Sequence, residues 1–326
     1  MNTATEPRLS APLAQAADES FWRALHPDLH ISPLPLAAKL AGASPISGPV
    51  AERCAQRMIK DGYFDTPPIM SQARAARLAG VVGDLAARGI APVFAFVYDE
   101  FWQMACGMSP VLASLLGDDF QMTPSDIWAW HVTPSSTAAG WGPHRDMFAG
   151  EAVREDGRPR VVNVWMPLTD ATPLNSCMYV LPMRHDRNIP GNLEEAPSFG
   201  NFMAIQNIRA VPAAAGSALG WNTHVMHWGG RSTEWAEQPR ISVAIFFHSR
   251  DCRLNDIDYD RAREGFASQD FGHRFEMPFA SRLRAIAGAI CLYHQKVRID
   301  FPHAWQDLYA FSEKYIGAWS GSAAGR

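Results

Sequence analysis

The spacing of apolar residues divides the chain into a helical first third and a strand-rich middle. In the first third, apolar residues recur with the period of helices that bury one face. Three helices are predicted there, at AERCAQRMIKDG, at SQARAARLAGVVGDLAARG and from about Asp99 to Leu116, and a glycine closes each of them. Ser71 is the expected N-cap of the second helix. Residues 1–20 are expected to form a loose tail and residues 32–49 mostly loop, because prolines, glycines and small residues break the pattern there.

The middle of the chain has a different pattern. Short segments rich in β-branched and aromatic residues are bounded by proline, glycine and asparagine, which is typical of strands. Many short strands without helices between them favour a sandwich or a barrel. After His248 the chain becomes charged, and two further helices are predicted, over 280–295 and 303–316. The predicted strands cover residues 126–132, 160–168, 177–182, 207–212, 217–222 and 241–247.

These elements predict one mainly β domain with helical additions. A core of this size matches a single closed barrel, flanked by N-terminal and C-terminal helices. No internal repeat or low-complexity tract divides it. The predicted organisation is a single domain over 1–326, with the tail at 1–20, a helical lead-in at 50–120, the barrel core at 125–250 and a helical C-terminal region at 251–326.

Composition and charge narrow the class of partner. The chain has 326 residues, 47% hydrophobic residues and a net charge of -4, and no basic stripe marks a nucleic-acid surface. Its five cysteines are scattered without CxxC spacing, which argues against a disulfide framework and a thiolate zinc site. No signal peptide and no apolar stretch of transmembrane length is seen. We therefore expect a cytoplasmic protein with a small-molecule partner and neither a nucleic-acid nor a membrane partner; its oligomeric state stays open.

The segment WGPHRDMF, residues 141–148, supplies candidate metal ligands. His144 and Asp146 are two residues apart, and such residues point to the same side at the end of a strand. A third ligand can come from His224 or His227 in THVMHWGG. Two histidines and one carboxylate leave three coordination positions open, as in non-haem Fe(II) oxygenases. A lone His-x-Asp often arises by chance on an exposed loop, so the weight rests on the order of all the elements.

Arg240 is the next element in that order. It follows His227 and opens the apolar strand ISVAIFF, so its guanidinium is expected at the barrel interior or rim. A buried guanidinium requires a partner, and the far carboxylate of a dicarboxylate supplies a bidentate one. The alternative is pairing with a carboxylate of the protein at the barrel edge. Together with the triad, 2-oxoglutarate binding is the better account.

From His144 to about Phe247 the sequence resembles the phytanoyl-CoA dioxygenase family of Fe(II)/2-oxoglutarate oxygenases. The order of His-x-Asp, a strand, a distal histidine and an arginine is the family's, and it is not specific to any substrate. The matching segments are Lys60-Asp61-Gly62-Tyr63, Trp165-Met166-Pro167-Leu168, Thr169-Asp170-Ala171, Pro182-Met183-Arg184-His185 and His227-Trp228-Gly229-Gly230-Arg231-Ser232-Thr233.

This resemblance implies a fold, cofactors and a reaction. The fold would be a double-stranded β-helix of the jelly-roll or cupin-like type. Fe(II) would be held by His144, Asp146 and His227, with His227 preferred to His224 because it starts the family-like segment. Arg240 would bind 2-oxoglutarate, which reacts with O₂ to give succinate and CO₂ while a C–H bond of a small molecule is hydroxylated or otherwise oxidised. Halogenating relatives lack the carboxylate, so Asp146 favours hydroxylation or a related radical outcome over halogenation.

Three further residues are candidates for co-substrate binding. Trp165 would stand in the barrel wall beside the co-substrate, although a lone strand tryptophan is usually plain core. His131 ends a strand from which relatives reach the keto-acid end, and a structural role is about as good an account. Family members often carry a hydroxyl residue two positions after the distal histidine. This chain has Gly229 there, and Ser242 is the candidate replacement.

A second departure from the family lies in the turn after Asn175, where the usual glycine is Ser176. Neither departure touches the metal ligands.

The substrate is not specified by these motifs. The aromatic residues around them favour an apolar substrate of secondary metabolism; they are Trp128, Trp130, Trp141 and Phe148. One alternative function is a cupin-like metal enzyme that does not use 2-oxoglutarate. Another is a barrel without catalysis that binds or senses a small molecule.

Overall fold

A computed structural model of the chain describes residues 15–32, 46–146, 153–186, 202–252, 269–270, 277–297 and 310–312. It contains helices and two antiparallel sheets. The predicted tail and loop lie partly outside these ranges, and Phe148 lies outside them. Of the predicted helix over 303–316, only residues 310–312 are described, and they are helical. The α-helices are α1 (Glu19–Leu25), α2 (Gly48–Asp61), α3 (Gln72–Ala87), α4 (Asp99–Gln103), α5 (Ser109–Leu116), α6 (Phe202–Asn207) and α7 (Phe279–Val297).

The first two predicted helices are confirmed as α2 and α3. Gly62 ends α2 with φ 81°, a left-handed conformation that glycine adopts at little cost. Ser71 caps α3, because its hydroxyl accepts the backbone N–H of Arg74 at 3.2 Å. The start of α2 at Gly48 lies inside the predicted loop, and the proline that follows it suits the first helical turn.

The predicted third helix is wrong as one continuous element. It is divided into α4, a 3-10 segment over Met104–Met108, and α5. Pro110 lies in the first turn of α5, where its missing N–H leaves no bond unmade, and it could not continue a helix from before. The last residues of the predicted tail begin a helix, α1, which Asp18 caps by accepting the N–H of Ser20.

Each of the six predicted strands is present. The segment predicted at 126–132 belongs to a longer strand that starts at Gln121 and shifts register between Thr123 and Ile127. The prediction missed β1, β7 and β9, which span only a few residues each. The strands are β1 (Tyr63–Asp65), β2 (Gln121–Val132), β3 (Val161–Pro167), β4 (Met178–Leu181), β5 (Arg209–Val211), β6 (Leu219–Asn222), β7 (Met226–Gly229), β8 (Arg240–His248) and β9 (Gln269–Asp270).

The strands form a large and a small sheet. The large sheet has the order β1-β6-β3-β8-β2-β9, and the small one has the order β5-β4-β7. An apolar cluster from both sheets lies between them and includes Trp165, Leu219, Val180 and Val211. The other face of the large sheet packs against the helices, and α7 lies along β2. The two sheets therefore enclose the space into which inward side chains of β2, β3, β6 and β8 project.

Two expectations from composition can be compared with this structure. All five cysteines lie in described residues, and none forms a disulfide. Among the residues that the structure describes, none of the helices combines the length and the apolar character needed to cross a bilayer.

Candidate active site

The segment before His144 pairs with β7 of the small sheet and so positions this candidate ligand. This segment runs antiparallel to β7, and Gly229 donates its backbone N–H to the carbonyl of Trp141 at 3.1 Å. His144 and His227 exchange both backbone hydrogen bonds, at 3.1 and 3.0 Å. This pairing places the two imidazoles side by side, with ring centroids 4.3 Å apart.

The three predicted metal ligands meet at one point. Oδ1 of Asp146 lies 3.6 Å from Nε2 of His144 and 3.7 Å from Nε2 of His227. One ligand atom from each residue lies within 4.8 Å of the other two, close enough for a shared metal ion. Within the described part of the chain, this is the group of histidine, cysteine and acidic side chains that meets this condition.

The other nitrogen of each imidazole is held by the backbone. Nδ1 of His144 lies 2.7 Å from the carbonyl of Gly142, and Nδ1 of His227 lies 2.9 Å from that of Val225. A proton on each Nδ1 satisfies these carbonyls and leaves each Nε2 lone pair for a metal. Burial lowers the pKa of His227 to about 4, which favours the neutral form that binds metal.

Asp146 is oriented from the large sheet. Its Oδ2 accepts the indole N–H of Trp221 at 2.9 Å and the amide of Asn163 at 3.4 Å. Trp221 on β6 and Asn163 on β3 are directly paired in the sheet. These bonds leave Oδ1 facing the two imidazoles. The sequence motifs give no sign of Trp221, because its contact with Asp146 depends on the packing of distant segments.

Arg240 lies in the same pocket as the triad and is 1% exposed. Its Nη1 donates to the hydroxyl of Ser242 at 2.7 Å, and its Nη2 donates to that of Ser176 at 3.3 Å. Nε has no hydrogen-bond partner, and no carboxylate among the described residues forms an ion pair with this guanidinium. The predicted alternative, an arginine paired with a protein carboxylate, is therefore not what the described residues show. Burial lowers the pKa of Arg240 to about 10, so the group stays charged at neutral pH.

Two tryptophans flank the guanidinium of Arg240. Its carbon atom lies 5.7 Å from the ring centre of Trp165 and 5.9 Å from that of Trp130. Trp165 thus lies in the pocket wall, where the sequence predicted it, and its buried indole N–H has no hydrogen-bond partner.

The structure does not bring His131 to the pocket. Its neighbour Trp130 faces the pocket, so His131 points to the opposite side of β2. Its partner across the strands is Ile241, which faces Gly83 of α3. Burial lowers the pKa of His131 on that side.

The glycine at position 229 has a steric reason. A Cβ there would lie 2.7 Å from Cα of Gly140 and 3.3 Å from Nη2 of Arg240. A side chain at position 229 would therefore clash with Gly140, and the pairing of the segment before His144 with β7 requires the two glycines to lie this close together. Ser242 supplies a hydroxyl to Arg240 from β8 instead.

Three other described histidines, His224, His248 and His185, lie outside the metal triad. His224 is buried, and its carbonyl accepts a hydrogen bond from Arg145, whose guanidinium pairs with Asp186 at 2.6 Å. His248 is a satisfied polar group in the core, 3.0 Å from the hydroxyl of Thr123. His185 ends a 3-10 turn and donates its backbone N–H to the carbonyl of Pro182.

Aromatic side chains form the wall beside His144. Trp141 lies 5.9 Å from the His144 ring and 4.7 Å from the ring of Tyr293. Tyr293 comes from α7 and donates its hydroxyl to Asp126 at 3.1 Å, and burial holds its pKa well above the usual range. The sequence predicted α7 but gave no sign that one of its residues lines the pocket.

A protein family and several solved structures are similar to this chain. A model of the phytanoyl-CoA dioxygenase family matches residues 50–236. No curated protein matches the sequence. Among solved structures, the epimerase SnoN in complex with Fe³⁺, alpha ketoglutarate and nogalamycin RO aligns at a TM-score of 0.52 and 19% identity, over 71% of this chain and 96% of its own. EctD from S. alaskensis with bound Fe aligns at 0.46 and 18%, over 68% and 83%. The first of these likenesses shows a shared fold.

Proposed function

This chain belongs to the phytanoyl-CoA dioxygenase family, and from that membership and the geometry of its pocket we propose that it is an Fe(II)- and 2-oxoglutarate-dependent oxygenase. Its proposed reaction is the oxidation, by preference the hydroxylation, of a C–H bond in a small molecule, with succinate and CO₂ as co-products. The proposal assigns His144, Asp146 and His227 to the metal and Arg240 to the co-substrate.

One observation carries the proposal: a buried guanidinium that has no carboxylate partner among the described residues shares a pocket with the metal triad. A buried charge is costly unless an opposite charge compensates it. The described residues supply hydroxyls and aromatic rings to Arg240 and no anion. A dicarboxylate that meets the metal with one end and Arg240 with the other would compensate both charged ends of the pocket.

The residues of the triad fit iron. Two neutral imidazole nitrogens and one carboxylate oxygen are the donor set of non-haem Fe(II) oxygenases, and they leave open coordination positions for other ligands. When bound, the iron would supply O₂ activation coupled to the decarboxylation of 2-oxoglutarate.

The chain's own part in the reaction is orientation and shielding. The carbonyls of Gly142 and Val225 fix the imidazole tautomers, and Trp221 fixes the carboxylate of Asp146. Arg240 would hold the 5-carboxylate of the co-substrate, helped by Ser242. The indole N–H of Trp165 is available to a ligand oxygen.

The substrate side of the pocket is proposed to be apolar. Its wall consists of aromatic rings from three parts of the chain, Trp130, Trp141 and Tyr293. Such a wall excludes water and favours an uncharged small molecule. We also propose that the two sheets form a double-stranded β-helix within a single domain spanning 1–326.

Succinate formation tests this proposal. The purified protein should release succinate from 2-oxoglutarate under air only when Fe(II) is added, even without a substrate, as slow uncoupled turnover measured by mass spectrometry. His144→Ala and Asp146→Ala should abolish this release. His185→Ala removes an imidazole outside the pocket and should leave it unchanged. Equal release from the parent and both ligand variants would contradict the proposal.

A further inference from the structure

The turn that precedes β4 contains a residue in an unfavourable backbone conformation. Ser176 has φ 78°, and it is the non-glycine residue with positive φ among those the structure describes. A side chain costs roughly 1 kcal/mol in this left-handed region, where glycine costs little. A residue kept at such a position needs a compensating contact, and functional sites are where such contacts collect.

The turn around Ser176 is tightly hydrogen-bonded. Asn175 accepts the N–H of Thr172 with its side chain at 2.7 Å and donates to the carbonyl of Asp170 at 2.8 Å. Cys177 donates its N–H to the carbonyl of Thr172 at 2.9 Å. These bonds on both sides of Ser176 hold its backbone in place whichever side chain it carries, so glycine would serve the turn equally well.

The side chain of Ser176 does have a specific contact. It is fully buried, and its hydroxyl accepts Nη2 of Arg240 at 3.3 Å and the backbone N–H of Gly140 at 3.3 Å. Ser242 accepts Nη1 from the other side at 2.7 Å. The two terminal nitrogens of the guanidinium are therefore each held by a neutral hydroxyl. Neutral partners fix the plane of the guanidinium without neutralising its charge, which a carboxylate partner would do.

We propose that Ser176 is a positioning residue for the anion site of Arg240, and that its hydroxyl, with that of Ser242, presets the guanidinium to bind the far carboxylate of the co-substrate. This inference rests on the proposed function and names a residue that acts through Arg240. Glycine at this position would relieve the backbone strain, but it would leave Nη2 without this acceptor. The hydroxyl contact therefore offsets the cost of the strain at Ser176.

Two variants separate the hydroxyl from the strain. Ser176→Gly and Ser176→Ala both remove the hydroxyl, so both should raise the dissociation constant of 2-oxoglutarate by about three- to tenfold, measured by anaerobic calorimetric titration of the Fe(II)-loaded protein. Only alanine keeps the strain. The metal-free Ser176→Gly protein should melt within about 3 °C of the parent, whereas metal-free Ser176→Ala should melt lower than Ser176→Gly. The KM for 2-oxoglutarate in succinate release should rise in both variants while kcat at saturation is retained.

The outcomes distinguish this inference from the function on which it rests. If the parent and Arg240→Ala bind 2-oxoglutarate equally, the proposed function itself is wrong. If Arg240→Ala loses binding while both Ser176 variants bind like the parent, Ser176 belongs only to the turn and the inference is wrong. If only Ser176→Ala binds more weakly, the effect comes from strain and the inference is also wrong.

Discussion

The pocket has two charged ends that are built in different ways. At the metal end, the atoms not needed for a metal are already bonded: Gly142 and Val225 hold the imidazoles, and Trp221 holds the carboxylate of Asp146. At the other end, Arg240 has hydroxyl and aromatic partners, and its Nε has none. The first end can bind a metal without further help. We expect the second end to be complete only when an anion binds.

This difference predicts that the two ends can be disabled separately. Substitutions among the metal ligands should remove the metal and, with it, the chelated co-substrate. Substitutions around Arg240 should weaken the co-substrate and leave the metal in place.

The largest effect is expected from His227→Ala. This variant should lose bound iron almost completely, because the buried imidazole supplies one of three ligand atoms. Among the described residues, the group contains no fourth histidine, cysteine or acidic side chain that could replace it. The matched control is His224→Ala, three residues earlier in the chain and outside the triad. Metal analysis after anaerobic loading with Fe(II) should find iron at the parental level in the control. Equal iron in both variants would mean that the third ligand is misassigned.

Arg240→Ala should raise the dissociation constant of 2-oxoglutarate by about 100-fold or more, while iron content stays at the parental level. Removing one partner of a buried, hydrogen-bonded charge pair typically costs about 2–5 kcal/mol in binding. Without co-substrate, Arg240→Met should melt no lower than the parent, because it removes a buried charge with which no described carboxylate forms an ion pair. Loss of iron together with 2-oxoglutarate would show that the two ends are not independent.

A smaller effect is expected from Trp221→Phe. It removes the N–H that holds Oδ2 of Asp146 at 2.9 Å while keeping the aromatic packing. Loss of such an outer hydrogen bond typically weakens metal binding by about 10- to 100-fold. Competition with a chelator of known Fe(II) affinity measures the change, and Trp228→Phe serves as the control outside the pocket. An unchanged affinity would mean that Asp146 does not need this contact for its orientation.

The smallest effect on both ends is expected from Tyr293→Phe. The ring remains against Trp141, so iron and 2-oxoglutarate should bind within about twofold of the parent. The variant loses the buried hydrogen bond from this hydroxyl to Asp126, which should lower the free energy of unfolding by about 1–3 kcal/mol. Chemical denaturation and the binding titrations check the two parts. A stability loss with unchanged binding is the expected combination, and a large loss of iron affinity would show that α7 supports the metal end.

The sequence allowed the candidate ligands to be predicted but not the residues that orient them. His144 and Asp146 could be proposed as ligands because two residues at one strand end form a local motif, and the order of the later elements gave this motif its weight. His227 could be preferred to His224 from the order of the elements. The support of both ends could not be predicted: Trp221 and Ser176 reach their partners through packing between segments far apart in the chain.

Two predictions show the physical limits of reasoning from local sequence patterns. His131 was placed at the end of a strand, and the strand exists, but residues alternate between its faces and the pocket receives Trp130. The helix from Asp99 to Leu116 was predicted as continuous although Pro110 interrupts it. By contrast, the six strands and the helices α2, α3 and α7 followed from periodicity and end signals, because these depend on local sequence.

The central claim, that Arg240 completes a 2-oxoglutarate site next to an iron site, is tested most directly by anaerobic absorption spectroscopy. The Fe(II)-loaded parent should develop a visible charge-transfer band that saturates as 2-oxoglutarate is added. Arg240→Ala, with iron confirmed by metal analysis, should show no band at concentrations that saturate the parent. Absence of the band in the folded, iron-loaded parent, or its appearance at the same concentrations in Arg240→Ala, would contradict the account.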